Sequence, residues 1–324
     1  MMKFNKKWAI IVLAAGLVLI GGFLFRKQLA VFAFDMFLSD KVEKSLDRTY
    51  KPLYDTKATI GIDDDPFSLL LLGIDQRDKE VGRSDSMLYT VVRPKDNRIL
   101  LLSIPRDSYA EIVGKDKQDK IAHAYAFGGA KMSVESVEQL LQHSVNHYAA
   151  INFKGFRDVV DALDGVELPI TENIQNRSPY HDKFLIEANK PIYTGLEALN
   201  YVRYREDSDM NRMERNRIFL QALMKRMVQL DKISHLPELL EIAGDNLETD
   251  ILPSDMIGLA KMMLLKDSLP AFTSYSLDGE GKIMDNIWYL ILNEEDLDYA
   301  RELIDNWLDP EVPSAELLNP ELKG

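Results

Sequence analysis

Three groups of residues in this sequence have the types and spacing to do chemistry. The first is Gly73-Ile74-Asp75, followed by Gly82-Arg83-Ser84-Asp85-Ser86. An Asp directly after a buried strand stands at the carboxyl edge of a sheet, where α/β folds place ligand sites. Asp85 opens the next expected strand, so Asp75 and Asp85 could face one metal ion. Mg2+ takes one or two carboxylates and completes its shell with water and phosphate oxygens. The same pattern also fits turn carboxylates that cap loops. The second group is Ile104-Pro105-Arg106-Asp107, again just past a buried strand. Arg106 would aim at the same edge, or stand as an ordinary solvated or salt-bridged arginine. The third is Arg203, Arg205, Arg212, Arg215 and Arg217, five arginines within fifteen residues. Arginine forks bind phosphate oxygens bidentately, and a helix N-terminus adds attraction for an anion. Several forks converging on one spot suit a pyrophosphate. Pairing with Glu206, Asp207, Asp209 and Glu214 would instead make a surface charge network.

These groups need strands and helices to bring them together. Phe67 to Ile74 is an apolar run of strand length and reads as fully buried. Met87 to Val92 and Ile99 to Ile104 read as two more strands, joined as a hairpin by the turn residues Pro94-Lys95-Asp96-Asn97. Ser133 to His143, Phe156 to Leu163, Gly195 to Tyr201 and Asn211 to Leu230 have helical spacing. Residues 236–306 read as mainly helical, with a strand near Ala271 to Ser276. The alternation of strands and helices predicts an α/β domain with a central mixed sheet flanked by helices.

The chain has 324 residues and 46% hydrophobic content, enough for one large core. A net charge of −13 disfavours nucleic-acid binding, which ordinarily uses a basic face. The absence of cysteine excludes disulfides, thiolate metal sites, a catalytic thiol and a lipid-modified cysteine. No phosphate loop, dinucleotide fingerprint, HExxH or GxSxG motif is present, and the five histidines show no ligand spacing.

Trp8 to Phe25 is an uncharged apolar run of 18 residues, close to the roughly 20 needed to span a bilayer. Lys3, Lys6 and Lys7 precede it, which favours an inside N-terminus. Ala30-Val31-Phe32-Ala33 is a poor version of a small-residue cleavage site, so the run predicts an uncleaved anchor rather than a signal peptide. The expected organisation is a cytoplasmic tail at 1–7, a transmembrane segment at 8–25, a stalk at 26–65, a domain outside the membrane at 66–308 and a loose acidic tail at 309–324.

Taken together, the motifs resemble the LytR-CpsA-Psr family. The resemblance rests on Gly73-Ile74-Asp75, Gly82-Arg83-Ser84-Asp85, Ser103-Ile104-Pro105-Arg106-Asp107, Asp119-Lys120-Ile121, Arg203-Tyr204-Arg205 and Asp209-Met210-Asn211-Arg212. Their order and spacing agree across about residues 66–230. The resemblance implies transfer of an anionic glycopolymer, such as wall teichoic acid, from undecaprenyl pyrophosphate to peptidoglycan, with Mg2+ and an apolar pocket for the lipid. By motif, Asp75 and Asp85 would position Mg2+, and one of them would activate the acceptor hydroxyl. Arg83, Arg106, Lys120, Arg203, Arg205 and Arg212 would clamp the pyrophosphate. Asn216 stands where the family has Gln, one methylene longer. Arg215 is expected to shape the site rather than touch phosphate. Two other readings stand beside this one: a polyprenyl-pyrophosphate hydrolase using the same residues, and a non-enzymatic envelope module that binds the lipid carrier.

Overall fold

In the computed structural model, residues 39–54, 65–75, 82–176, 183–204, 209–227, 236–266 and 268–320 are described. The expected membrane segment lies outside them. Among the described residues no helix is long and apolar enough to cross a membrane.

The central sheet has six strands in the order β10-β3-β2-β1-β6-β9. These are β1 (Phe67–Asp75), β2 (Arg83–Arg93), β3 (Arg98–Ser103), β6 (His147–Asn152), β9 (Leu247–Thr249) and β10 (Ala271–Ser276). β1 pairs antiparallel with β2 and parallel with β6, so the sheet is mixed. The β2–β3 hairpin forms as expected around residues 94–97. Alternate residues of a strand face opposite sides. Leu70, Leu72 and Ile74 therefore enter a core that includes Val134 and Val137 of α2 (His123–Leu141) and Leu303 and Trp307 of α8 (Glu294–Leu308). The other side is covered by α3 (Phe153–Ala162), α4 (Gly195–Arg203) and α5 (Asp209–Met227), whose own cluster includes Val160, Tyr201 and Phe219.

The helices begin where local chemistry allows. Asn152 caps α3 by accepting from the Gly155 amide at 2.7 Å. Thr194 and Glu197 cap α4 reciprocally. Gly195 has no room for a side chain, because a Cβ there would lie 2.2 Å from the Arg157 carbonyl of α3. That close approach seats the start of α4 on α3. α2 starts ten residues earlier than the apolar spacing predicts. It is broken at Gly128 and Gly129, the latter at φ 66°, so the first turns follow a different axis from the later apolar stripe.

Three expectations are corrected. Residues 39–54 are not a stalk, since α1 (Ser39–Leu46) packs Val42 and Leu46 on Ile257 of α7 (Pro253–Leu265). The Lys51 backbone amide then donates to the Thr249 carbonyl at 2.7 Å. Residues 309–320 are not loose. The buried Arg93 guanidinium donates to the carbonyls of Trp307, Asp309 and Val312, each at 2.8 Å, and Trp307 donates to Leu318 at 3.0 Å. Residues 236–306 are less helical than expected. After α6 (Leu236–Asn246) they contain β9 and a hairpin of β11 (Gly279–Met284) and β12 (Ile287–Leu292). The polar β11 carries no apolar alternation, and β12 alone, as a short apolar run, fits strand or helix equally. A second unforeseen hairpin joins β4 (Tyr109–Ile112) and β5 (Lys117–Lys120). The two-stranded β7 (Ile174–Gln175) and β8 (Leu185–Ile186) complete the elements.

Candidate active site at the edge of the central sheet

The ends of β1, β3 and β6 and the start of β2 meet at one edge of the sheet, as their pairing requires. Asp75 ends β1 opposite Arg83, the first residue of β2. Between Gly73↔Ser86 and Ile74↔Ser84 the register slips, leaving Asp85 as the extra residue of a β-bulge. A bulge re-aims the side chain it carries and bends the strand. Gly73 faces it without a side chain, for a Cβ there would meet Ser86 Cβ at 3.1 Å.

Asp85 is the junction of the site, with only 10% of its side chain exposed. Its Oδ1 accepts from Arg106 Nη1 at 2.5 Å and its Oδ2 from Arg203 Nη2 at 3.5 Å. Arg106 also donates to Asp107 Oδ2 at 3.3 Å, and Lys120 Nζ donates to Asp107 Oδ1 at 2.7 Å. The result is a line of alternating charge: Arg203, Asp85, Arg106, Asp107, Lys120. Counted as three cations against two carboxylates it carries one net positive charge. Burial alone would lower the Arg106 pKa, but Asp85 and Asp107 outweigh it and hold the group above its ordinary value. Burial would raise the Asp107 carboxyl, but Lys120 and Arg106 outweigh it and hold it low. Asp119 is likewise held low against burial, by Lys117, the Lys120 amide and His123.

Arg203 lies with its guanidinium 4.3 Å from the centre of the Phe153 ring. That stacking fixes the fork's plane while leaving its edge open. Behind Arg203 and Asp85 opens a cavity of about 250 Å3. Its walls are overwhelmingly apolar, with Leu71, Ile151, Phe156, Val202, Phe219 and Leu223 among them. Phe156 and Phe219 stack at 4.6 Å across the α3–α5 contact. Asn216 is the polar residue that α5 contributes to the lining.

The structure therefore brings Asp85, Arg106, Lys120, Arg203 and Asn216 to one site. It places Asp75 and the exposed Arg83 at the same sheet edge. Arg205 and the side chain of Arg212 lie outside the described residues. Arg215 is buried, donates to the Tyr204 carbonyl at 2.6 Å and lies over the Tyr204 ring, so it ties α5 to the end of α4. Arg217 pairs with Glu214 on the surface. Among the described residues no three His, Asp or Glu side chains gather as a metal cage. Sequence reasoning missed the bridging role of Asp107 and the platform of Phe153. Asp107 had a signal, since it directly follows Arg106; Phe153 had none.

The LytR_cpsA_psr family profile matches residues 35–305. Curated relatives include the polyisoprenyl-teichoic acid–peptidoglycan teichoic acid transferase TagU of Bacillus cereus, 35% identical over 289 residues. That alignment covers 86% of this chain and 90% of the relative. The TagU of Enterococcus faecalis is 33% identical over 276 residues, covering 83% and 89%. Among solved structures, B. subtilis TagV superposes with a TM-score of 0.63 at 28% identity, covering 76% of this chain and 98% of that one. A structure described as TagT bound to LI-WTA superposes with a TM-score of 0.59 at 29% identity, covering 80% and 96%.

Proposed function

The chain belongs to the LytR-CpsA-Psr family, and from that premise we propose that it transfers an anionic glycopolymer, such as wall teichoic acid, from undecaprenyl pyrophosphate to peptidoglycan. The observation that carries the reading is the apolar cavity lined at one end by Asp85 and Arg203, with Arg106 paired to Asp85. An apolar slot ending in arginine forks matches a lipid ending in a pyrophosphate. The cavity takes the part of the polyprenyl chain nearest the head, where each buried methylene contributes about 0.8 kcal/mol.

The reaction is a phosphoryl transfer. The acceptor hydroxyl oxygen bonds to the polymer-bearing phosphorus, and the bond from that phosphorus to the bridging oxygen breaks. Undecaprenyl phosphate leaves with that oxygen, and the acceptor proton passes to a carboxylate. Such chemistry needs positioning and charge neutralisation more than covalent catalysis. Arg106 and Arg203, aimed by Asp85, hold the bridging oxygen, which becomes the leaving oxygen, while Lys120 and Arg83 face the remaining phosphate oxygens. Asp75 and Asp85 are the two carboxylates at this sheet edge, and one of them takes the acceptor proton.

Asp75 and Asp85 are also the residues assigned to Mg2+. Two hard carboxylates at adjacent strand ends suit an ion that keeps its other positions for water and phosphate. When bound there, the ion would neutralise charge that develops on the phosphate oxygens. The segment at 8–25 anchors the chain, with the domain outside the membrane.

The test incubates the full-length protein with a synthetic polyprenyl-pyrophosphoryl glycan, Mg2+ and peptidoglycan oligomers. Mg2+-dependent attachment of glycan, lost in Arg106→Ala, is the expected result. Release of free glycan alone makes the protein a hydrolase. Tight lipid binding without turnover makes it a non-enzymatic module.

A further inference from the structure

The charged line that begins at the cavity ends at an exposed indole. Trp288, on β12, is 47% exposed. Its ring lies against Gly281 on β11, where a Cβ would come within 2.8 Å of the indole Nε1. Lys120 Nζ stands 6.0 Å from the Trp288 ring and 5.8 Å from the Tyr289 ring. Tyr289 in turn packs edge-on against Tyr109 at 5.0 Å. Trp288 thus packs over a glycine of the neighbouring strand and stands directly opposite the exposed Ile283, with Lys120 at its edge. Neither Lys120 nor Trp288 lines the cavity, which is bordered at the other end of the line by Asp85 and Arg203.

In a phosphoryl displacement the attacking and leaving oxygens lie roughly in line. The leaving oxygen carries the lipid, so it lies on the cavity side. The attacking hydroxyl must enter from the opposite side, which is the Lys120 and Trp288 end of the line. We propose that Trp288 is a platform for the acceptor, stacking on a sugar ring of the peptidoglycan glycan strand. This rests on the transfer reading above. A pyranose presents a face of C–H bonds, and the negative face of an indole attracts such an edge of positive charge. The hairpin tip argues for a wet partner. Its turn is Asp285-Asn286, both residues at positive φ, so a carboxylate stands at the point that a membrane-inserted tip would bury.

The test uses the full-length protein in detergent with undecorated peptidoglycan glycan oligomers and no donor, read by titration calorimetry. Trp288→Ala is expected to weaken binding about tenfold, equivalent to ~1.4 kcal/mol. Trp288→Tyr, which keeps a ring, restores most of it. Unchanged binding in Trp288→Ala overturns the proposal. Because donor is absent, a protein that binds glycan through Trp288 yet transfers nothing would sink the transfer reading alone. During turnover, Trp288→Ala should raise KM for the acceptor and not for the donor; the reverse pattern assigns the platform to the donor polymer and overturns the proposal. In a Trp8→Phe background reconstituted with brominated lipids, quenching that is lost in Trp288→Tyr and that glycan does not relieve assigns the tip to the membrane, with the same consequence.

Discussion

Asp85 and Arg106, 21 residues apart in the chain, meet at 2.5 Å because a bulge in β2 turns one toward the loop that follows β3. The carboxylate is nearly closed off and the guanidinium is about a third exposed. Arg106 is therefore gripped from within and presented outward. A free arginine would lose side-chain entropy on grasping a phosphate, and one already held loses less. Arg203 is prepared in the same way, by the same carboxylate and by the ring of Phe153.

This pairing predicts a shared loss. Asp85→Asn keeps the side chain's volume and removes its charge, and should lower kcat/KM about a hundredfold or more. Arg106→Ala should do the same. The double variant should fall little further, since the two act as one unit. Transfer kinetics on the three variants check this, with melting curves to exclude unfolding. Losses that simply multiply would contradict it.

Acid should remove one contribution to stability. Asp107 has a carboxyl held below its ordinary value, with the Lys120 and Arg106 interactions overcoming burial. A depressed carboxylate stabilises the folded state above its unfolded pKa, about 3.9, and the contribution disappears as pH falls through the lower folded value. The gap in melting temperature between the native protein and Asp107→Asn should hold above about pH 5 and shrink below about pH 4. A gap that grows on acidification runs against this.

The cavity should be fillable at the expense of lipid binding. Ala149 lines it from β6. Ala149→Phe places a ring where the chain nearest the pyrophosphate would lie, and overpacking costs roughly 1–3 kcal/mol. KM for a long-chain donor should rise more than KM for a donor with a truncated tail. Equal effects on both would detach the cavity from the lipid.

The segment before the sheet should matter for stability. Leu46 is 5% exposed and packs with Val42 on Ile257. Leu46→Ala should cost about 2–5 kcal/mol, measured by urea denaturation of the full-length chain. A change within ±0.5 kcal/mol, typical of surface sites, would mean that α1 is dispensable.

Much of this molecule was written in its local sequence. FSLLLLGI, short and ending near Gly73, reads as a buried strand, which puts the charged residues just past β1 and β3 at the sheet's edge. Asp85 and Arg106 were legible for that reason, and Arg203 because arginine is so dense around it. Other features depended on contacts between distant segments. Nothing local separates Arg203 from Arg217, yet Arg203 reaches Asp85 while Arg217 pairs with Glu214. Residues 309–320 look like an acidic tail, yet Arg93 holds them from a strand more than 200 positions earlier. The β11 strand has no apolar alternation and exists through its pairing with β12. By itself the sequence determined the chemistry available, because residue types and strand periodicity are local properties. The tertiary structure alone decided which charges met, because the meeting of Asp85 with Arg106 and Arg203 and the Gly195 contact arise from packing between segments that carry no local sign of one another.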